Sequence, residues 1–399
     1  MALNSTLSSI ITILSDPHVN VISSKRDQNN VTDLFATNVE SSGKNESLDL
    51  NSNPPANQEI VIIISILFCF IGAVGLLGNF LVIIVVLLDR KMRQSVTNIF
   101  IMNLAVADFF IMLFGIPEIV QFMMNRGWLL GTAVCKINRF VLVVALYVSI
   151  LSLVSVCIER FVAIVYPIKA HILCGRRKII ITVMIIWPIA IGCGLPTAIY
   201  NTLQSPQYVR EIQYCMIVFP DINNLITFRY MEFLLFYFIP VAIQVVLYAV
   251  ISRKLYVSTD KLHTRFQMRP DSKHRTDRAS DTIRARKDVV KMLVASVLVY
   301  LICYAPPQII LFYNTFSKRQ FHSTWSFQVF SYVIAYINSA ANPVLYCIFS
   351  QNFRRNFKKC LCFMCVGKSK EYEKILLDSF ESRELSQRKN PSRTTFIQQ

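Results

Sequence analysis

Seven long apolar stretches alternate with short polar segments along this chain, at roughly 60–88, 97–122, 133–165, 178–200, 227–252, 288–314 and 325–349. An α-helix needs about 20 such residues to cross about 30 Å of hydrocarbon, and each stretch is too long and too poor in charge to be a buried strand. Within hydrocarbon, separate segments satisfy their backbone only as helices. The pattern predicts an all-α membrane protein: a seven-helix transmembrane bundle over 60–349, preceded by a polar segment, 1–59, and followed by a tail, 350–399.

Charge sets the orientation. Lys and Arg gather in alternate loops: Arg90, Lys91 and Arg93 in the first, Lys169, Arg176, Arg177 and Lys178 in the third, and a strongly basic run at about 253–287 in the fifth. The other side carries only scattered cations, among them Arg126, Arg210, Lys318 and Arg319. Positively charged short loops stay in the cytosol, so the amino terminus is expected outside and the protein at the plasma membrane as a multi-pass chain. The polar first 59 residues agree, since Asn4, Asn30 and Asn45 each begin a glycosylation sequon ahead of Pro54-Pro55, the pattern of a glycosylated, disordered ectodomain. The apolar stretch near Ile10 to Leu14 is short and lacks a basic leader, so the first helix is expected to act as the anchor signal.

Composition sharpens this. With 54% hydrophobic residues and a mean hydropathy of +0.46, a chain of 399 residues is too apolar for a soluble domain. The net charge of +17 does not signal nucleic acid, because the cations lie between apolar runs; lipid headgroups and a cytoplasmic protein are the expected partners. The basic 253–287 segment is low in apolar content and is expected to be a flexible cytoplasmic loop.

Of eleven cysteines, only Cys135 and Cys215 fall at extracellular helix ends or loops in the oxidising compartment. A disulfide between them is expected, two free thiols being the alternative. Cys360, Cys362 and Cys365 follow a basic juxtamembrane stretch and are candidates for palmitoylation. Asp108 stands alone among apolar neighbours in the second crossing, a costly place for a carboxylate. Ser149, Asn338, Ser339 and Asn342 lie at similar depth and would complete an oxygen cage; a protonated Asp108 bonding between helices is the equal alternative. Prolines at 117, 188, 240, 306 and 343 each remove a backbone hydrogen bond, which permits a kink and is also simply tolerated in membrane helices.

Taken together these residues resemble the rhodopsin-like family of G-protein-coupled receptors, with motifs in every helix. In order they are Gly78-Asn79, Leu104-Ala-Val-Ala-Asp108, Cys135 with Glu159-Arg160-Phe161, Trp187, Pro240 with Tyr248, Cys303-Tyr304-Ala-Pro306 and Asn342-Pro343-Val-Leu-Tyr346. Phe353-Arg-Arg-Asn-Phe357 looks like the family's short amphipathic eighth helix, and Glu211 to Phe219, alternating around Cys215, resembles the β-hairpin lid of its peptide receptors. The resemblance implies a receptor, not an enzyme: an agonist outside shifts a helix equilibrium and a heterotrimeric G protein docks below. Arg160, Tyr248 and Tyr346, with Glu159, Tyr304, Pro306 and Pro343, match the family's switch positions; Asp108, Ser149, Asn338 and Asn342 match its allosteric sodium pocket, with Asp108 as the metal-binding carboxylate. No other cofactor is expected. Two positions depart from the usual pattern: Glu159 replaces an aspartate and Tyr304 a tryptophan. Arg286 also offers Arg160 no carboxylate.

The ligand class follows by comparison within the family. Leu142 stands where amine receptors carry an aspartate, and Tyr336 where opsins carry the retinal lysine. Glu118, Gln121, Arg139, Glu232, Gln308 and Tyr332, with Leu142 and Tyr336, are the candidate ligand-binding residues; Arg229 is an inward cation that serves equally well as an interhelical contact. Both charge signs and aromatic rings suit a neuropeptide. A small non-peptide ligand, amine or lipid, is the second reading, and a transporter or channel a poorly supported third. Hydroxyls at Ser272, Ser280, Thr282 and from Ser379 to Thr395 are candidate sites for receptor kinases and arrestin.

Overall fold

The computed structural model describes residues 58–124, 127–205, 213–268, 273–316 and 325–366. Seven long helices follow the apolar stretches: α1 (Gln58–Leu88), α2 (Val96–Met124), α3 (Gly131–Val165), α4 (Arg176–Tyr200), α5, α6 (Lys273–Phe316) and α7 (Trp325–Phe349). α5 is built of consecutive segments, Ile222–Phe233, a π-helical turn Leu234–Phe238, and Ile239–Met268. α8 (Gln351–Val366) follows a bend of 105° after α7. Short helices Arg90–Gln94 and Pro167–Leu173 fill two cytoplasmic connections.

Burial shows the arrangement. Of the most apolar stretch of each helix, 72% is buried in protein for α3 against 17% for α1 and 22% for α4, so α3 runs through the middle while the outer helices turn Phe70, Leu77, Ile181 and Met184 towards lipid. α8 lies against the bundle through Phe353 and Phe357, the first stacked on Tyr346 with ring centroids 5.3 Å apart.

Two prolines illustrate how sequence becomes packing. Pro240 cannot donate to the carbonyl four residues back, that of Phe236, and this oxygen accepts the Tyr300 hydroxyl of α6 instead. Pro343 likewise frees the Ser339 carbonyl, which accepts Asn79 Nδ2 of α1 at 3.1 Å. Asn103 joins three helices: its Nδ2 donates to Ser152 Oγ of α3 at 2.8 Å and its Oδ1 accepts Trp187 Nε1 of α4 at 3.0 Å. Close approach also needs small residues. A Cβ on Gly78 would lie 2.8 Å from Pro343 Cβ, and one on Gly115 would overlap the Tyr336 hydroxyl.

On the outer side, β1 (Asn201–Gln204) pairs antiparallel with β2 (Tyr214–Ile217) in the register Leu203 to Cys215. A disulfide joins Cys215 to Cys135 at the start of α3, where the Cα atoms are 5.7 Å apart. Trp128 packs on that bond, its backbone N–H donating to the Gln213 carbonyl at 2.6 Å and its indole Nε1 to the Gly131 carbonyl at 2.9 Å.

One expectation needs correcting. The 253–287 segment is not a loop: α5 continues to Met268 and α6 begins at Lys273, leaving only 269–272 between them. That run contains no glycine, and its one proline, Pro270, falls in the gap. Low hydropathy does not by itself mean absence of structure, because Lys, Arg and Gln are good helix formers once a membrane helix supplies the nucleus.

Gly115→Ala should therefore force Tyr336 from its pocket. Thermal unfolding in detergent is expected to show a loss of about 1–3 kcal/mol, partly recovered in Gly115→Ala/Tyr336→Phe; an unchanged melting temperature would contradict the packing.

Candidate functional site

At the outer end, two buried ion pairs face the interior beneath the hairpin. Glu118 of α2 meets Arg139 of α3 at 3.0 Å and accepts Asn138 Nδ2 at 3.3 Å. Arg139 Nη2 also donates to the Cys215 carbonyl at 3.2 Å, tying the pair to the lid. In α5, Arg229 Nη1 donates to Glu232 Oε2 at 2.6 Å, three residues on and so on the same helix face. The other oxygen of Glu232 accepts the Tyr147 hydroxyl of α3 at 2.8 Å, and the Tyr147 ring stacks on Phe236 with centroids 3.6 Å apart.

These clusters are not saturated. Glu118 Oε2, Arg139 Nε, Arg229 Nε and Nη2, and both amide atoms of Gln308 are buried without a hydrogen bond. Such atoms are costly to leave unpaired and are available to an incoming group. Two other candidates lie elsewhere: Leu142 is sealed in the core, and Tyr336 packs edge-on against Phe68 of α1 with centroids 5.9 Å apart. Gln121 and Tyr332 are on α2 and α7, but their side chains lie outside the described residues.

At mid-depth, Asp108 is completely buried, Oδ2 accepting Asn342 Nδ2 at 2.7 Å and Oδ1 accepting Ser149 Oγ at 3.3 Å. Ser339 lies beside the same carboxylate, its buried hydroxyl lacking a well-formed bond. Asn338 instead bonds the Tyr304 hydroxyl above. The oxygens of Asp108, Ser149 and Ser339 are hard donors of the kind a small cation takes, so the residues present fit sodium.

At the inner end, Arg160 bonds both oxygens of its neighbour Glu159, through Nε at 2.6 Å and through Nη2. Glu159 is held in turn by Thr97 Oγ1 of α2 at 3.1 Å. Tyr248 bonds the Cys157 thiol of α3, and among the described residues no hydrogen bond joins it to Arg160 or to Tyr346, which stacks on Phe353 of α8. Pro306 sits in α6 below Gln308. Cys360 is half-buried on α8, and burial pushes its thiol above the ordinary range; the side chains of Cys362 and Cys365, and all of Asn4, Asn30 and Asn45, lie outside the described residues.

Sequence reading missed Asn138, Tyr147, Thr97 and Cys157. None of the four carries a mark of its partner in the sequence, and only the faces their helices present to one another reveal it. For Tyr147 and Cys157 an interrupted apolar run was the available signal, and it does not distinguish a pocket wall from an interhelical bond.

Comparison with known proteins agrees with this architecture. Residues 78–346 match the family model described as 7 transmembrane receptor (rhodopsin family). The chain is 34% identical to Neuropeptide receptor 15 of Caenorhabditis elegans over 74% of its length and 88% of the relative's. It is 32% identical to the Allatostatin-A receptor of Bombyx mori over 79% of its length and 84% of the relative's. Galanin receptor 2b of Danio rerio is 28% identical over 83% and 80% respectively.

Glu232 holds a buried cation, so its loss is expected to cost far more than loss of the pair. Glu232→Gln should destabilise the protein by about 3–5 kcal/mol, and Arg229→Met/Glu232→Leu by much less, read from thermal unfolding in detergent. Equal losses would contradict the pairing.

Proposed function

The chain belongs to the rhodopsin family of seven-transmembrane receptors, and on that premise we propose that it binds an extracellular neuropeptide and activates a heterotrimeric G protein. It is a multi-pass protein of the plasma membrane, and its family is one of receptors, not of enzymes.

The observation that carries the peptide reading is the outer pair of ion clusters with unspent atoms of both kinds: donors on Arg139 and Arg229, an acceptor on Glu118, and both on Gln308. A peptide presents donors and acceptors in close alternation along its backbone, so it answers a neutral site of this composition better than a single cation or anion would. The names of the relatives above support the same class. Burial of a peptide between α3, α5 and α6 changes the contacts of Arg229 and Glu232, and Glu232 reaches Tyr147 on α3 directly. Binding thereby favours one arrangement of α3 against α5 over another.

Further assignments belong to the same reading. Arg160 leaves Glu159 to meet the transducer, with Tyr248, Tyr304, Pro306, Pro343 and Tyr346 serving the rearrangement. Asp108, Ser149, Asn338 and Asn342, with Ser339, hold sodium in the inactive state. Asn4, Asn30 and Asn45 are glycosylated, Cys360, Cys362 and Cys365 palmitoylated, and the tail is read by kinases and arrestin. The chain itself carries out no covalent chemistry.

Cells expressing the receptor with a calcium or cAMP reporter should answer a member of a neuropeptide library that mock-transfected cells ignore; a response only to amines would reject the peptide class. Arg160→Ala should abolish that response at comparable surface expression, and full signalling would count against its role. Asp108→Asn should remove any effect of replacing sodium with a bulky organic cation on basal nucleotide exchange; a sodium effect of wild-type size in this variant would place the ion elsewhere.

A further inference from the structure

The inner end turns on one buried carboxylate with two unlike partners. The Glu159 side chain is 4% exposed, and Arg160, at 21%, donates to both of its oxygens, through Nε to Oε2 at 2.6 Å and through Nη2 to Oε1. Thr97, buried in the first turn of α2, donates its hydroxyl to the same Oε2 at 3.1 Å. Among the described residues Glu159 makes no other ion pair.

These partners differ in what happens to them when the pair opens. Arg160 is partly open to the cytoplasm, where water or a transducer takes up its donors, but Glu159 stays sealed in the bundle. A buried carboxylate deserted by its cation is strongly disfavoured, and that penalty opposes any arrangement in which Arg160 is free. The Thr97 hydroxyl comes from a different helix and does not depend on Arg160. It also shares Oε2 with Arg160 Nε, so the two donors divide the charge of one oxygen while the guanidinium is present. Once the guanidinium withdraws, the hydroxyl faces a full carboxylate and its bond strengthens. The first turn of α2 adds the positive end of a helix dipole at the same place. An interaction that is stronger in one arrangement than in another shifts the balance toward the first.

We propose that Thr97 is a positioning residue that keeps Glu159 hydrogen-bonded after Arg160 has left it, and thereby favours the signalling arrangement. Thr97 has this role only if Arg160 leaves Glu159 to meet the transducer, as proposed above. A hydroxyl that merely braced the pair would act in the opposite sense: its removal would loosen Glu159 and release Arg160.

The test measures ligand-free exchange of a fluorescent GTP analogue on purified heterotrimeric G proteins of each class, with full-length receptor variants in lipid nanodiscs. Glu159→Gln leaves no charge behind and holds Arg160 less firmly, so its exchange should exceed that of wild type. Exchange at the wild-type level would overturn the departure of Arg160 itself, and the role of Thr97 with it. Thr97→Val, close in shape but without the hydroxyl, should lower exchange by about 3–10-fold, a part of what a hydrogen bond to a charged group contributes. Thr97→Ala should fall in the same direction, so the result does not depend on the folding of one variant. Thr97→Ser, which restores the donor, should stay within about twofold of wild type, and Thr97→Val in a Glu159→Gln background should change exchange by less than about twofold. A rise in Thr97→Val would mean that the hydroxyl only braces the pair, and no change would mean that it prefers neither arrangement. An equal fall with and without the Glu159 charge would assign Thr97 a structural role within α2. Each of these outcomes would overturn the proposal.

Discussion

A carbonyl freed by proline inside hydrocarbon has no water to turn to, and the bundle is arranged around that constraint. The Phe236 oxygen released by Pro240 is taken by Tyr300, and the Ser339 oxygen released by Pro343 by Asn79, so each interrupted helix is stitched to a neighbour at its weakest turn. The stitches join α5 to α6 and α7 to α1. A bond between helices exchanges more easily than one within a helix, so the positions where backbone order is lowest are also where rearrangement is least costly.

The same requirement explains the charged groups. Asp108, Glu159 and Glu232 are all buried, and each is met by a polar side chain of another helix. Isolated, any of them would cost several kcal/mol or lose its charge. They occur at three levels, beneath the hairpin, at mid-depth and at the cytoplasmic end, and α3 contributes to each through Tyr147, Ser149 and Glu159. The most buried helix thus carries a polar contact at every level, which makes it the element through which an outer event reaches the inner face.

Much of this was legible in the chain. The stretch 325–349 became α7 with the same bounds, and 133–165 became α3 with two more residues at its start. The fifth helix begins earlier than its apolar run because Asp221 caps it, accepting Asn223 N–H at 3.1 Å, and it ends later because nothing in the basic segment breaks it before Pro270. Glu118 and Arg139 were recognisable as inward groups but not as each other's partner. Leu142 and Tyr336 were proposed by position and are packed away, since a family register locates a residue along a helix more surely than it locates the wall of a cavity. Tyr147, a ring within an apolar run, carried no sign of the carboxylate it meets.

The most direct measurement is a double-mutant cycle on Tyr300→Phe and Pro240→Ala, followed by thermal unfolding in lipid nanodiscs. If the proline creates the acceptor that the hydroxyl serves, removing the hydroxyl should cost about 0.6–1.7 kcal/mol beside Pro240 and close to nothing beside alanine, where the helix closes its own bond. Equal costs in both backgrounds would show that Tyr300 and the freed carbonyl are not coupled, and would contradict the account.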